Sequence, residues 1–176
     1  MGYTRYFSFN WDSITKQQWS EFLAALEKIR AADEYCKLAI TIDYSASIFR
    51  WEKYQVVNHI GGVVVGSKRI IERAKLAAQN DYEKNDVVDA DLGEIGEPFQ
   101  IDSTSNCQTN RLTYDFAVHA ILCCAYIILG PHLCKIDDDG VDGDEEAMRK
   151  LMIKALAPLT TEQSQRLREY FKRYNI

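Results

Sequence analysis

Thr113-Tyr114-Asp115-Phe116-Ala117-Val118-His119-Ala120-Ile121-Leu122-Cys123-Cys124-Ala125-Tyr126-Ile127-Ile128-Leu129 is the stretch that decides the fold. Beyond Asp115 it is almost wholly apolar, with neither the period-two alternation of a half-exposed strand nor a polar stripe at helical spacing. Such a segment predicts a helix enclosed on all sides. Gly130-Pro131 must stop it, because proline lacks the amide that the next turn needs. From Phe116 to Leu129 the run falls short of the roughly 18 to 20 apolar residues of a membrane span, and it contains His119. The expected element is a core helix.

Working outward, Tyr3 to Asn10 alternate aromatic and polar types in the manner of a half-buried first strand. Thr15 with Gln18 has capping-box spacing, and Trp19, Phe22, Leu23, Leu26 and Ile29 then predict an amphipathic helix over residues 16–31. Leu38 to Ile42 and Ser47 to Trp51 read as strands joined by a turn at Asp43-Tyr44-Ser45-Ala46. His59 to Gly66, with three glycines around Val63-Val64-Val65, suits either a continuation of the sheet or a strand ending in a loop, and Ser67 to Asn85 reads as helix. The acidic, glycine-containing run from Asp86 to Glu97 predicts a surface loop, and Phe99 to Asp102 a short strand. After the core helix, Leu133 to Ile136 reads as a strand. The acidic run from Asp137 to Glu146 opens a helix through Met148, Leu151, Met152 and Leu156. Thr160 with Gln163 repeats the capping box before a terminal helix lined by Leu167, Tyr170, Phe171 and Tyr174. The fold class is therefore α+β: one domain over residues 1–176, its small, mostly antiparallel sheet packed against an apolar central helix and amphipathic helices.

Composition agrees with a self-sufficient core. The 176 residues are 47% hydrophobic and 27% charged, and a domain of this length buries roughly 70% of the surface of its unfolded chain. No cofactor or metal is needed for folding. A net charge of −5 argues against a general nucleic-acid binder, which needs a concentrated basic face. Five cysteines, two of them adjacent in the apolar helix, read as reduced thiols of a cytoplasmic protein. The opening Met1 to Phe7 lacks the pattern of a secretory signal, and Tyr6 stands where a myristoylation motif has Ser or Thr. The sequence sets no oligomeric state.

Several constellations invite chemistry. Asp115, His119 and Cys123 fall at i, i+4 and i+8 on one helix face, the residue types of an orienter, base and nucleophile. A reactive thiol needs an electropositive, partly exposed setting, whereas Cys123 lies among Ile121, Leu122, Cys124 and Ala125. A core cysteine and a histidine bonded to Asp115 is the preferred reading. His59, His119, His132 and the cysteines form no paired zinc spacing, so no metal is expected. The acidic run fails as an EF-hand, since Gly140 and Arg149 fall at ligand positions. Asp142 or Asp144 as a helix cap, with Glu145 and Glu146 in the first turn, accounts for it. The basic helices around Lys68 to Lys75 and Arg166 to Arg173 read as solvated faces that can dock an acidic partner. Cys107 to Asp115 is dense in hydrogen-bonding groups yet feeds the most apolar helix, and its Arg111 beside helix amino-terminal amides suits an anion. A polar capping network is an equal reading.

Met1-Gly2-Tyr3-Thr4-Arg5-Tyr6 resembles the start of small phage and bacterial proteins that begin MGYTHYW. Gly93-Glu94-Ile95-Gly96-Glu97-Pro98-Phe99 is similar to their Gly-His-Glu-x-Phe region. The strongest likeness is Cys107-Gln108-Thr109-Asn110-Arg111-Leu112-Thr113-Tyr114-Asp115, where that group reads Cys-Lys-Thr-Ala-Arg-Lys-Pro-Tyr-Asp before an apolar helix, and its Ser-Asp-Gly motif falls near Asp138-Asp139-Gly140. Arg5 replaces a histidine and Gln108 a lysine, the Gly-His-Glu histidine is absent, and the segment around residues 63–92 looks like an insertion of helix and loop.

The resemblance implies a site lined by Tyr3, Thr4, Tyr6, Thr109, Arg111, Tyr114, Asp115 and Asp139 rather than a reaction. The leading expectation is a non-catalytic binding protein of phage or bacterial origin that holds an anionic small molecule or a host protein, in a setting such as phage counter-defence. The rival is a hydrolase or nucleotide-processing enzyme using Asp115 or Asp139 as base or magnesium ligand and Arg111 against negative charge. A third reading is a purely structural or interaction domain in which these motifs brace strand against helix.

Overall fold

In the computed structural model, the described residues are 4–10, 13–42, 63–65, 87–89, 94–96, 99–100, 106–108, 115–138 and 144–174. The chain begins with strand β1 (Thr4–Phe9), followed by helix α1 (Lys16–Ala32), helix α2 (Glu34–Ala39) and strand β2 (Ile40–Ile42). Short strands β3 (Val63–Val65), β4 (Val87–Asp89), β5 (Glu94–Gly96), β6 (Phe99–Gln100) and β7 (Asn106–Gln108) precede the core helix α3 (Asp115–Leu129). Strand β8 (Cys134–Asp138) and helices α4 (Glu145–Leu156) and α5 (Thr161–Lys172) follow. The architecture is α+β, with every described strand pair antiparallel. No helix among the described residues is long and apolar enough to cross a membrane.

Helix α3 is the centre of the core. All its residues are buried except Phe116, Tyr126 and Ile128, which are half-buried. Helices α1, α2, α4 and α5 and strand β8 all pack on it. The amphipathic helices supply what covers it: Trp19, Phe22, Leu23, Leu26 and Ile29 from α1, Met148, Leu151, Met152 and Leu156 from α4, and Leu167, Tyr170 and Phe171 from α5. Each such side chain, taken out of water, contributes about 1.5–3 kcal/mol. A helix apolar all round is thus stable here because its neighbours bury every side.

Strand β1 is the middle strand of the β7-β1-β8 sheet. Thr4, Arg5 and Tyr6 lie opposite Gln108, Cys107 and Asn106 of β7, and Arg5 to Phe9 lie opposite Asp138 to Cys134 of β8. Successive side chains of a strand point to opposite faces. Accordingly Arg5 and Phe7 are buried and Phe9 half-buried, whereas Tyr6 and Ser8 are exposed and Thr4 half-exposed. Val63–Val65, the segment whose reading was open, is a strand, lying between β2 and β6 in a second sheet. The segment read as an insertion therefore begins with a central sheet strand.

The helix ends are built as their sequences indicate. Thr15 and Thr160 each accept a hydrogen bond from the backbone amide three residues on, while Gln18 and Gln163 accept from the cap amides. At the far end of α3, Gly130 takes φ +88°, a left-handed conformation that favours glycine. Arg166 of α5 donates from Nη1 to the carbonyls of Ile127 (3.1 Å) and Ile128 (3.2 Å) and pairs with Glu162. A cation thus covers the free carbonyls at the negative end of the helix dipole.

Four expectations need correction. Leu38 and Ala39 close the short helix α2 instead of opening a strand; Asp33 caps that helix, its side chain accepting from the Cys36 amide at 2.8 Å, and the strand begins only at Ile40. A local cap outweighed the β-leaning residues that follow. The run from Asp86 to Glu97, read as loop, contains the antiparallel pair β4-β5, since Val87 and Val88 supply strand-forming residues inside an acidic segment. Residues 106–108, read as a lead-in to the helix, form β7. Asp144 stands at the cap position of α4, but its backbone (φ −99°, ψ 3°) lacks the extended geometry of a capping residue and its side chain makes no cap hydrogen bond. The strand expected at Ser47 to Trp51 and the helix expected at Ser67 to Asn85 lie outside the described residues.

Candidate functional site

The face of α3 that carries Asp115, His119 and Cys123 is closed by protein. Asp115, in the first turn, is held by Arg5 of β1 in a two-pronged pair, with Arg5 Nε donating to Oδ1 at 2.8 Å and Nη2 to Oδ2 at 2.7 Å. Arg5 is 1% exposed and Asp115 6%. The preferred reading assigned this carboxylate to His119; its principal partner instead comes from the neighbouring sheet, where a planar guanidinium matches both carboxylate oxygens. One turn along, His119 packs against the rings of Tyr170 (5.8 Å) and Tyr174 (6.1 Å). Burial, and then the positive charges of Arg5 and Arg173, hold its pKa well below the usual histidine value. Cys123, another turn on, is fully buried, and burial pushes its thiol up and away from thiolate.

The same holds for Cys36, Cys124 and Cys134, all free, buried and pushed upward mainly by desolvation. A nucleophilic thiol is favoured by exposure and neighbouring positive charge, and none of the four has that exposure. Among the described residues no group of three His, Cys, Asp or Glu side chains comes together as a metal ion would require. The chemically suggestive residues of α3 are thus packing and pairing groups.

The opposite face of the sheet is a different surface. Directly opposed residues of antiparallel strands share a face, so the register puts Tyr6 beside Asp137 and Ser8 beside Lys135. All four are exposed, with Tyr6 at 45% a large aromatic left open to solvent. Thr4 lies on the same side of β1. This face combines an aromatic ring and hydroxyls on β1, a strand paired on both sides, with both signs of charge on β8.

At the outer edge of β8 stands Arg173, just past α5. Its Nε donates to the Tyr170 carbonyl at 3.1 Å and its Nη1 to the Ile136 carbonyl of β8 at 3.0 Å. Its guanidinium lies 4.6 Å from the centre of the Tyr170 ring, 5.5 Å from Tyr126 and 5.9 Å from Tyr174. A long, exposed side chain is thereby fixed in one place.

Of the residues expected to line a site, Thr4 and Tyr6 share the outward face of β1, whereas Asp115 lies beneath the inward face, paired with Arg5. The sheet separates them, so these three do not form one pocket. Tyr3, Thr109, Arg111, Tyr114 and Asp139 lie outside the described residues. Arg5 and Arg173 were not among the expected site residues. A signal for Arg5 was present: it shares the phase of Phe7 and Phe9 on β1, and an arginine on a buried face requires a carboxylate partner. Arg173 gave no such signal, because its fixation depends on rings from two helices and a distant strand. No family model, no curated protein and no solved structure matches this chain.

Proposed function

We propose that this chain is a non-catalytic binding protein that engages a protein partner on the outward face of the β7-β1-β8 sheet, with Tyr6 as anchor. The carrying observation is the 45% exposure of Tyr6 in a central strand. A tyrosine held on rigid backbone offers large contact area at small entropic cost, which is why such residues dominate binding surfaces. The acid, base and thiol candidates of α3 are committed to burial and pairing, which weighs against the hydrolase or nucleotide-processing reading. Following the resemblance to phage and bacterial proteins, the partner is a host protein in the bacterial cytoplasm, and phage counter-defence is the setting in which such binding acts.

The test is affinity capture from bacterial host lysate with the parent chain and Tyr6→Ala, followed by mass spectrometry, alongside incubation of both chains with a nucleotide library. A partner captured by the parent and lost by Tyr6→Ala, at unchanged melting temperature, is the expected result. Equal capture by both chains, retention of a nucleotide without any protein partner, or nucleotide turnover would each overturn it.

A further inference from the structure

We infer that the edge of this binding face beside Arg173 receives a side-chain carboxylate from an aspartate- or glutamate-rich segment of the partner. The inference rests on the outward sheet face being the contact surface and names the partner's chemistry there. Among the described residues no acidic side chain answers the positive charge of Arg173. Among the described residues, Arg5 pairs with Asp115, Arg30 with Glu27 and Arg166 with Glu162. Arg173, like Arg149 and Arg168, makes no such pair, although Glu169 lies four positions earlier, at the spacing for a helical ion pair. Glu169 instead accepts from Gln165, and Arg173 turns to two backbone carbonyls.

Its geometry favours capture. Two of the guanidinium nitrogens are committed to carbonyls on different elements and the Tyr170 ring lies against it, so little side-chain entropy remains to be lost on binding. Among the described residues Nη2 has no acceptor and is left to donate. Exposed Lys172 precedes Arg173 in the chain, and exposed Lys135 precedes Ile136, whose carbonyl Arg173 binds; both add positive charge, while Asp137 supplies the opposing sign next to Tyr6. One uncommitted nitrogen with two neighbouring lysines suits a single carboxylate, whereas a phosphate dianion gains most from several converging guanidinium donors. Adjacent strands lie about 4.8 Å apart, so the edge at Arg173 is within reach of a segment that also covers Tyr6. The pairing of a fixed arginine with an exposed tyrosine is the composition of a binding hot spot.

The experiment measures fluorescence anisotropy of a fluorescein-labelled peptide of alternating Glu and Asp, against an amide twin of Gln and Asn. Binding of the acidic peptide alone, weakening with added salt, is expected. Arg173→Gln should bind it at least about ten-fold more weakly, the scale of a hydrogen bond to a charged group, while Arg168→Gln retains parent affinity. Equal binding of the amide twin, equal loss in Arg168→Gln, or displacement of the peptide by low millimolar inorganic phosphate overturns the inference. Should Arg173→Gln not fold, the Lys135→Glu, Lys172→Glu chain must lose acidic-peptide binding, and its failure to do so counts against the inference. Tyr6→Ala separates the two readings. Peptide binding that needs Arg173 but not Tyr6 leaves the carboxylate site standing and removes the tyrosine anchor; the reverse pattern removes the carboxylate site.

Discussion

Replacing Arg5 with methionine, or Asp115 with leucine, should destabilise the fold severely, while making both changes together should not. The reason is the enclosure of the pair. The Arg5 side chain is 1% exposed and that of Asp115 8%, so removing either partner takes this two-pronged pairing from a charge that stays buried, at a cost of about 3–5 kcal/mol. Because Asp115 sits in the first turn of α3, the helix dipole offsets part of the loss in Arg5→Met, by about 0.3–1 kcal/mol. Asp115→Leu removes the carboxylate from a buried guanidinium that no helix dipole favours and should be the worse variant. For a chain of this size 1 kcal/mol moves the melting temperature by about 2–4 °C, so each single change should lower it by roughly 6–20 °C. The double variant replaces a buried ion pair by apolar groups and should fall within about 2 kcal/mol of the parent. Urea denaturation followed through buried Trp19 measures all four chains and yields the coupling directly. Single changes costing less than about 1 kcal/mol, or a double variant equal to the sum of the singles, would refute the reasoning.

Gly130→Ala should cost about 1–2 kcal/mol for the left-handed backbone alone, and more because an added Cβ lies 2.8 Å from Arg166 Cζ; in an Arg166→Ala background only the backbone part should remain, as thermal melts will show. Ellman's reagent at pH 8 should leave Cys36, Cys123, Cys124 and Cys134 unlabelled in the native chain, because burial holds these thiols protonated. All four should react in urea, and mass spectrometry showing native labelling of Cys123 would count against its burial. Because folding lowers the His119 pKa, its contribution is fully present above the unfolded value near 6.5 and is lost as pH falls below it. The loss should be up to about 1.4 kcal/mol per pH unit. Denaturation at pH 7.5 and 5 should show that slope, and His119→Phe should flatten it.

The local features of this fold were legible in the sequence, and the long-range ones were not. Both capping boxes, the amphipathic faces of α1 and α5 and the enclosed character of α3 follow from spacings within a few residues, and all are present. Helix α2 escaped because its signal, Asp33 ahead of Glu34, competes with the β-branched residues after it. The β4-β5 pair escaped because acidity and glycine suggested a loop where Val87 and Val88 form a strand. At the candidate site, the sequence singled out Asp115 and Tyr6, but only tertiary packing sets them on opposite sides of a sheet. Arg5 and Arg173 acquire their roles from partners on other elements, at 110 positions for Asp115 and 37 for Ile136.

That separation bears on how the chain comes off the ribosome. At synthesis rates of about 5–20 residues per second, Arg5 emerges roughly 5–22 s before Asp115 exists to neutralise it, and Phe7 must wait longer still for Ile136. For most of that interval β1 lacks both neighbouring strands, and throughout it the core helix α3 is missing. Slowing translation after residue 9 should therefore lengthen the window for chaperone capture, whereas moving β1 behind β8 by circular permutation should shorten it.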